Sequence, residues 1–165
     1  KAAGLEPRLI EADSYDLPDD GGTFDLVLVT IGVLNWMPDL GGFFRVIAGL
    51  LGPGGHLLVY ETHPVMEMFD PESDTPHEPA ISYFRTDPLK EEGLISYDGV
   101  DHGSGETGYW FIHTLGQIVT SCATAGMTIT SLKEFGYSIR EPEYDVYEGR
   151  EAQIPMSYLL HARKM

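Results

Sequence analysis

The first half of the chain alternates between apolar runs and short polar segments. Arg8–Ala12 is partly apolar and bounded by Pro7 and Asp13, which predicts a short strand that ends in a loop. Phe24–Thr30 is a nearly continuous apolar run, rich in β-branched residues, as in strands buried on both faces. His56–Glu61 has the same character. The two longer runs predict strands of a parallel sheet that helices cover.

A helix is predicted between these two strands. Leu40–Leu51 places apolar side chains on one broad face, and Asp39 stands where an N-terminal cap is expected. Gly52–Gly55 follows with Pro53, which cannot continue a helix, and with glycines that suit its C-terminal end. Strand, helix and strand in this order form a crossover that is right-handed by default.

The next stretch of the chain lacks this periodicity. From Pro64 to about Gly108 proline, glycine and charged residues recur, with short strand-like pieces such as Ile81–Phe84. A structureless connection of this length is unusual in a compact domain. We therefore predict one domain over residues 1–165, with residues 64–112 inserted as a cap over the substrate site.

Regular elements return towards the C-terminus. Thr114 and Gln117 have the spacing of a capping box, and Gly126 stands where a helix beginning there should end. Met127–Leu132 and Met156–Arg163 follow as predicted strands. The pattern as a whole is that of an α/β domain.

Composition narrows the classes of partner. The formal net charge is −16 at pH 7, and such a field repels phosphate backbones and anionic lipid, so neither nucleic acid nor a membrane surface is an expected partner. Cys122 is the only cysteine, which excludes an intrachain disulfide and a thiolate metal cluster. No apolar run reaches membrane-span length and no signal-type N-terminus is present, so a cytoplasmic location is expected.

Four segments carry a specific order and spacing. They are Glu11–Pro18, Gly21–Val27, Phe44–Leu57 and a closing stretch that runs from Ala125–Met127 to Ala162–Lys164. In this order they resemble the type-11 branch of class I S-adenosylmethionine-dependent methyltransferases. The first resembles the family's acidic segment after its third strand, the second its entry to the fourth strand, and the third its Pro-Gly-Gly connection. The resemblance implies a Rossmann-like, mostly parallel sheet with an antiparallel C-terminal strand.

One part of the family pattern has no counterpart in this sequence. The family's first two strands, and the glycine-rich turn that receives the methionine end of the cofactor, should precede Lys1. The resemblance therefore implies an N-terminally incomplete domain. Its remaining strands are expected to expose apolar edges, which aggregate or recruit a partner such as a second copy in a homodimer.

The resemblance also assigns residues to S-adenosylmethionine. In open α/β sheets ligands bind outside the carboxyl ends of the strands. In the family, the residue that matches Asp13 accepts a hydrogen bond from the adenine amino group. The alternative role of Asp13 in this chain is to begin a turn. The backbone after Thr30 matches the segment near the methionyl group. The cofactor-binding residues implied in this way are Ala12, Asp13, Ser14, Thr30, Ile31, Gly32 and Asn35.

Candidate residues for the methyl acceptor lie near the same edge. Methyl transfer depends mainly on alignment, and a base is needed only if the acceptor loses a proton. His63 and His113 are the candidate bases, with support of a turn or a helix start as the alternative. The resemblance and the aromatic character of Tyr109 and Trp110 predict a substrate wall that also includes Trp36, for which core packing is the alternative.

The predicted function is S-adenosylmethionine-dependent methyl transfer to a small-molecule acceptor. The alternative is a non-catalytic binding or dimerisation module with a truncated methyltransferase fold. No metal is expected, because the histidines show no His-x-x-x-His or comparable ligand spacing. A Ser-His-Asp hydrolase is disfavoured because the chain lacks a Gly-x-Ser-x-Gly elbow.

Overall fold

A computed structural model describes residues 4, 6–18, 22–92, 107–139 and 142–165. The strands are β1 Phe24–Thr30, β2 Leu51–Thr62, β3 Leu89–Glu92, β4 Thr107–Trp110, β5 Met127–Phe135 and β6 Ser157–Lys164. The α-helices are α1 Leu40–Leu50 and α2 Leu115–Thr124, and 3₁₀ turns cover Leu34–Trp36, Pro64–Met68 and Pro142–Tyr147.

Four strands form the main sheet in the order β1-β2-β6-β5. β1 and β2 are parallel neighbours, and β6 runs antiparallel to both β2 and β5. Three of these strands therefore share one direction, and only the C-terminal strand opposes them. The predicted α/β fold, with a mostly parallel sheet and an antiparallel last strand, is confirmed.

Both α-helices pack on the same face of this sheet and enclose the main hydrophobic core. The contribution of α1 includes Phe43, Phe44 and Ile47, and that of α2 includes Ile118 and Cys122. These side chains meet the inward residues of the central strands, which are Leu57, Val59, Leu160 and Ala162. The cysteine is fully buried as a small apolar residue, as its helical position predicts.

The opposite face of the sheet is open at β1 in the part of the chain that the structure describes. Leu26 and Leu28 are 53% and 59% exposed, whereas the alternating residues Val27 and Val29 face the helices. The described part of β1 therefore exposes apolar side chains on this face, whereas the prediction concerned strand edges and stays a prediction. Formation of a homodimer through this face also stays a prediction.

The connection from α1 to β2 forms part of the second strand rather than a separate loop. Phe24 pairs with Leu51, but Leu26 already pairs with His56, so the glycine-rich segment bulges out of the ladder. A side chain at Gly55 would lie 3.0 Å from the Gly52 carbonyl oxygen, which explains a glycine there. The helix end at Leu50 is one residue from its predicted position.

Both helix starts lie where the sequence predicts them. Thr114 and Gln117 form the reciprocal capping box of α2, and Gly126 follows the helix with a φ of 86°. Asp39 occupies the N-cap position of α1, but its side chain makes no cap hydrogen bond. Its backbone N–H instead donates to the hydroxyl oxygen of Tyr15 over 3.0 Å.

Two predicted strands are wrong. Arg8–Ala12 forms no strand, and Leu9 is 89% exposed, because an extended segment without a paired neighbour has no partners for its backbone groups. Ile81–Phe84 is part of a turn in which the Arg85 N–H donates to the Ser82 carbonyl. The region does contain an antiparallel pair, β3 with β4. The boundaries of the predicted cap stay a prediction, and residues 93–106 lie outside the described residues.

No helix among the described residues has the length and apolar character needed to cross a membrane. The cytoplasmic location stays a prediction.

Candidate functional site

Three segments meet at the edge of the sheet where β1 and β2 end. They are the turn after β1, the segment after β2, and the residues that join β4 to α2. The Phe111 N–H donates to the Asn35 carbonyl oxygen over 2.7 Å, and the Asn35 side-chain amide donates to the Phe111 carbonyl over 3.0 Å. Asn35 thus fixes the end of the insert to the turn after β1.

Gly32, in the same turn, lies next to the Trp110 ring of the insert. Its φ is 82°, which favours glycine, and a side chain there would lie 3.5 Å from the Trp110 ring. Trp110 packs edge to face on Trp36, with ring centroids 5.2 Å apart. The chain has two tryptophans, and both lie at the edge of the sheet where Gly32 follows β1.

Glu61, near the end of β2, is hydrogen-bonded to the turn after β1. Its carboxylate accepts hydrogen bonds from the Gly32 N–H over 2.5 Å and from the Leu34 N–H over 3.3 Å, and the residue is 2% exposed. Burial raises the pKa of Glu61 to about 7, against the lowering effect of these amides, and the charge of Glu67 raises it further. Glu61 therefore titrates near neutral pH.

Glu67 supplies a second carboxylate from the segment after β2. It accepts a hydrogen bond from the Trp110 indole N–H over 2.9 Å, and the Asn35 amide lies 3.4 Å from its other oxygen. The insert and the turn after β1 are thus held to one acidic side chain. This network sets the orientation of Trp110 at the sheet edge.

Tyr158 completes the group from β6, where it pairs with Glu61 across the strand ladder. Its side chain is fully buried, and its hydroxyl has no hydrogen-bond partner among the described residues. Burial raises the pKa of Tyr158 well above its ordinary value, and the charge of Glu61 adds to the shift. A buried hydroxyl without a partner is costly and uncommon in folded proteins.

A small pocket lies between these side chains, with room for a group the size of a water molecule. It is lined by Leu34, Asn35, Glu61, Thr62, Pro64, Glu67, His113, Ile118 and Tyr158. It lies at the carboxyl ends of β1 and β2, where open α/β sheets bind their ligands, and β6, α2 and the residues between β4 and α2 supply its other walls.

His113, a predicted base, contributes to this pocket. Its Nε2 lies 2.8 Å from the Met37 carbonyl oxygen, and since a carbonyl only accepts, that nitrogen carries the hydrogen. Burial lowers the pKa of His113, although the carbonyls of Met37 and Leu34 oppose the shift. The ring is therefore neutral near pH 7, with Nδ1 as its remaining acceptor.

His63, the other predicted base, does not line the pocket. Its Nδ1 accepts a hydrogen bond from the Val65 N–H over 3.1 Å, and its Nε2 lies 2.9 Å from a Glu134 oxygen. Burial lowers the pKa of His63, while the charge of Glu134 opposes the shift. The structure thus engages both ring nitrogens within the protein, in agreement with the structural alternative for this residue.

The predicted adenine-binding segment forms a turn at the same edge. The Asp13 carboxylate accepts from the Tyr15 N–H over 2.8 Å, so Asp13 does begin a turn, and the residue is exposed. The Tyr15 hydroxyl bonds both the N–H and the carbonyl of Asp39, at the start of α1. Because α1 begins beyond the carboxyl end of β1, this turn and the turn after β1 lie on one side.

The remaining predicted residues are placed less centrally. Tyr109 is 45% exposed, and strand alternation points it away from the side that carries Trp110. Ala12 and Thr30 are exposed, while Ser14 and Ile31 are half-buried. The structure brings Gly32, Asn35, Trp36, Trp110 and His113 together.

Glu61, Glu67 and Tyr158 are site residues that sequence reasoning missed. A glutamate at the end of an apolar strand is a usable signal, because ionised side chains are seldom fully buried without a role. Tyr158 carries no such signal, since a tyrosine in a terminal strand is ordinary. Among the residues that the structure describes, no group of three or more histidine, cysteine, aspartate or glutamate side chains is arranged to hold a metal.

Solved structures share this architecture. A protein described as an S-adenosylmethionine-dependent methyltransferase from Listeria monocytogenes superposes with a TM-score of 0.66 at 18% identity, over 93% of this chain and 67% of that one. One from Mesorhizobium loti gives a TM-score of 0.59 at 20% identity, over 99% of this chain and 73% of that one. The fold is that of an S-adenosylmethionine-dependent methyltransferase.

Sequence comparison agrees with the methyltransferase fold. The family described as a methyltransferase domain matches residues 1–59, which confirms the predicted resemblance. A demethylmenaquinone methyltransferase from Thermus thermophilus is 42% identical over 67 residues. That match spans 39% of this chain and 29% of the relative's length.

Proposed function

We propose that this chain takes part in S-adenosylmethionine-dependent methyl transfer to a small-molecule acceptor. The observation that carries the proposal is the meeting of the Asp13 turn, the Gly32 turn and a buried polar pocket at one edge of a methyltransferase sheet. In open α/β sheets this edge is the ligand-binding edge.

The residues at this edge suit one side of the cofactor. The exposed Asp13 carboxylate can accept a further hydrogen bond besides that from Tyr15, as the adenine amino group requires. The Gly32 N–H is already donated to Glu61, so this turn offers the cofactor its Cα and carbonyl groups rather than that amide. When bound, the cofactor supplies a methyl group on a positively charged sulfur.

The protein's own contribution to the reaction is chiefly positioning. Trp36 and Trp110 form an aromatic wall that excludes water beside Gly32, and Asn35 holds this wall to the turn. Alignment of donor and acceptor supplies a large part of the acceleration in such displacements. His113, neutral near pH 7, is the predicted histidine that stays available to an acceptor which must lose a proton.

A small organic acceptor is supported by two observations. The Thermus thermophilus relative is named for demethylmenaquinone, a small molecule. The net charge of −16 disfavours acceptors that are nucleic acids. The acceptor of this chain is proposed as a class and not as that quinone.

The second candidate is a non-catalytic binding or dimerisation module. It is favoured by the exposed apolar face of β1, where Leu26 and Leu28 could be buried by a partner. Cofactor binding separates the two proposals, because a module needs none.

Calorimetry with S-adenosylhomocysteine tests the proposed function. We expect binding in the micromolar range, and we expect Asp13→Asn to weaken it about tenfold, since one carboxylate oxygen becomes a donor while the oxygen bonded to Tyr15 remains. Asp16→Asn, in the same turn, is the matched control and should bind as the unaltered chain does. A folded, monodisperse sample without binding would support the module instead.

A further inference from the structure

The pocket at the sheet edge contains a hydroxyl that the fold itself does not use. Tyr158 is fully buried and lines the pocket, and its hydroxyl has no hydrogen-bond partner among the described residues. Folded proteins rarely leave such a group unpaired unless a ligand or water pairs with it. The pocket is therefore built for a polar occupant.

The other polar side chains of the pocket determine which hydrogen-bonding groups the occupant must have. Glu61 and Glu67 both line the pocket. Above about pH 7 Glu61 is ionised, and ionised carboxylates can only accept hydrogen bonds. The hydroxyl of Tyr158 can donate or accept. An occupant must therefore bring at least one N–H or O–H hydrogen, and a carboxylate or phosphate would meet repulsion from two acidic side chains.

Size restricts the occupant further. The space accommodates one group about as large as a water molecule, so only the end of a longer molecule can enter. The apolar side chains of Leu34, Pro64 and Ile118 complete the lining and provide contact for carbon atoms next to that end.

We propose that this pocket binds the nucleophilic end of the methyl acceptor, an amino or hydroxyl group that donates a hydrogen bond to Glu61 and is also bonded by the Tyr158 hydroxyl. That the occupant is a methyl acceptor rests on the proposed function. The hydrogen-bonding chemistry of the occupant rests on the pocket alone. It names amines and alcohols, including phenols, as the acceptor class, and it excludes acceptors that present an anionic end.

Three probes of one shape test this chemistry on the 165-residue chain. Benzylamine and benzyl alcohol carry the required hydrogens, and benzoate carries an anionic end on the same ring. Binding is followed through the amide signals of Gly32 and Leu34 in ¹H–¹⁵N spectra, because both N–H groups are held by Glu61. At pH 8, where Glu61 is ionised, we expect saturable shifts with the first two probes and none with benzoate.

Variants assign the effect to the pocket. Tyr158→Phe removes only the unpaired hydroxyl and should weaken benzylamine binding about fivefold, the loss of one hydrogen bond. Tyr60→Phe is the matched control, since Tyr60 precedes Glu61 on β2 and alternation turns it to the other face of the sheet. It should leave binding unchanged.

The outcomes separate this inference from the proposed function. Equal binding of benzoate and benzylamine, equal effects of the two tyrosine variants, or an absence of probe binding while S-adenosylhomocysteine binds would each overturn the inference alone. Probe binding of the expected kind without binding of S-adenosylhomocysteine would support the pocket chemistry and contradict the proposed function.

Discussion

Replacing Glu61 by glutamine is expected to change the free energy of unfolding at pH 8 by about 2–3 kcal/mol in the stabilising direction, relative to the change that it causes at pH 4 to 5. The expectation follows from burial of the carboxyl group, which is 2% exposed. Glutamine keeps one oxygen for the Gly32 N–H and carries no charge at any pH. Its NH2 group cannot accept from the Leu34 N–H, which adds a loss of stability that does not depend on pH.

The sign of the effect follows from the pKa. Burial raises the pKa of Glu61 from 4.5 to about 7. The folded chain therefore holds this proton more tightly than the unfolded chain does, and the associated stability is complete below about pH 4.5. It is lost as the pH rises through 7, and the whole shift corresponds to about 3 kcal/mol.

Urea unfolding between pH 5 and 8 checks this prediction. The difference in unfolding free energy between Glu61→Gln and the unaltered chain should grow with pH and level off above about pH 8. Glu72→Gln, in an exposed turn, is the control and should give a constant difference near zero. If the curves for Glu61→Gln and the unaltered chain ran parallel, the carboxyl would not be desolvated as the structure places it.

Replacing Tyr158 by phenylalanine is the second change with a large expected effect, a gain of about 1–2 kcal/mol in unfolding free energy. The ring and its packing beside His63 remain, with ring centroids 6.1 Å apart in the unaltered chain. Only a buried hydroxyl without a partner among the described residues is removed, so the desolvation cost disappears.

Thermal unfolding measures this gain. For a chain of 165 residues, 1 kcal/mol corresponds to about 2–4 °C in the midpoint. Tyr60→Phe removes a hydroxyl that is hydrogen-bonded to Ser157 and Tyr137, and it should therefore lose about 1 kcal/mol rather than gain stability. A loss of stability in Tyr158→Phe would mean that the hydroxyl serves the fold. If Tyr158→Phe is more stable and binds the probe more weakly, the hydroxyl lowers stability and serves binding, as residues of binding sites commonly do.

The elements that the sequence predicted well are those with strong local signals. Phe24–Thr30 is apolar enough to be a strand in any context, and Thr114 with Gln117 forms its cap within one turn of helix. Gly126 ends that helix because its left-handed backbone favours glycine. In each case the deciding interaction lies within a few residues of chain.

The misplaced elements depend on distant partners. Arg8–Ala12 has strand-like residues, but a strand needs a neighbour, and the sequence does not say whether one is present. Asp39 has a capping side chain in the right place, yet the Tyr15 hydroxyl meets its backbone N–H instead. That contact arises only when the chain is folded.

The difference between local signals and distant contacts also explains which site residues the sequence predicts. Gly32 and Asn35 were assigned to the ligand edge by the family resemblance, together with the strong strand that precedes them. Glu61 and Tyr158 meet only through the pairing of β2 with β6, whose register the sequence does not define. The contact of His63 Nε2 depends in the same way on Glu134 of β5.

The tryptophan emission of the chain tests the central claim most directly, because Trp110 lies beside Gly32 at the proposed cofactor edge and Trp36 packs on Trp110. The chain is titrated with S-adenosylhomocysteine while emission is recorded. We predict a saturable change whose midpoint equals the calorimetric dissociation constant. Binding seen by calorimetry that leaves the emission unchanged would place the ligand elsewhere, and a folded sample that binds nothing would contradict the methyltransferase proposal itself.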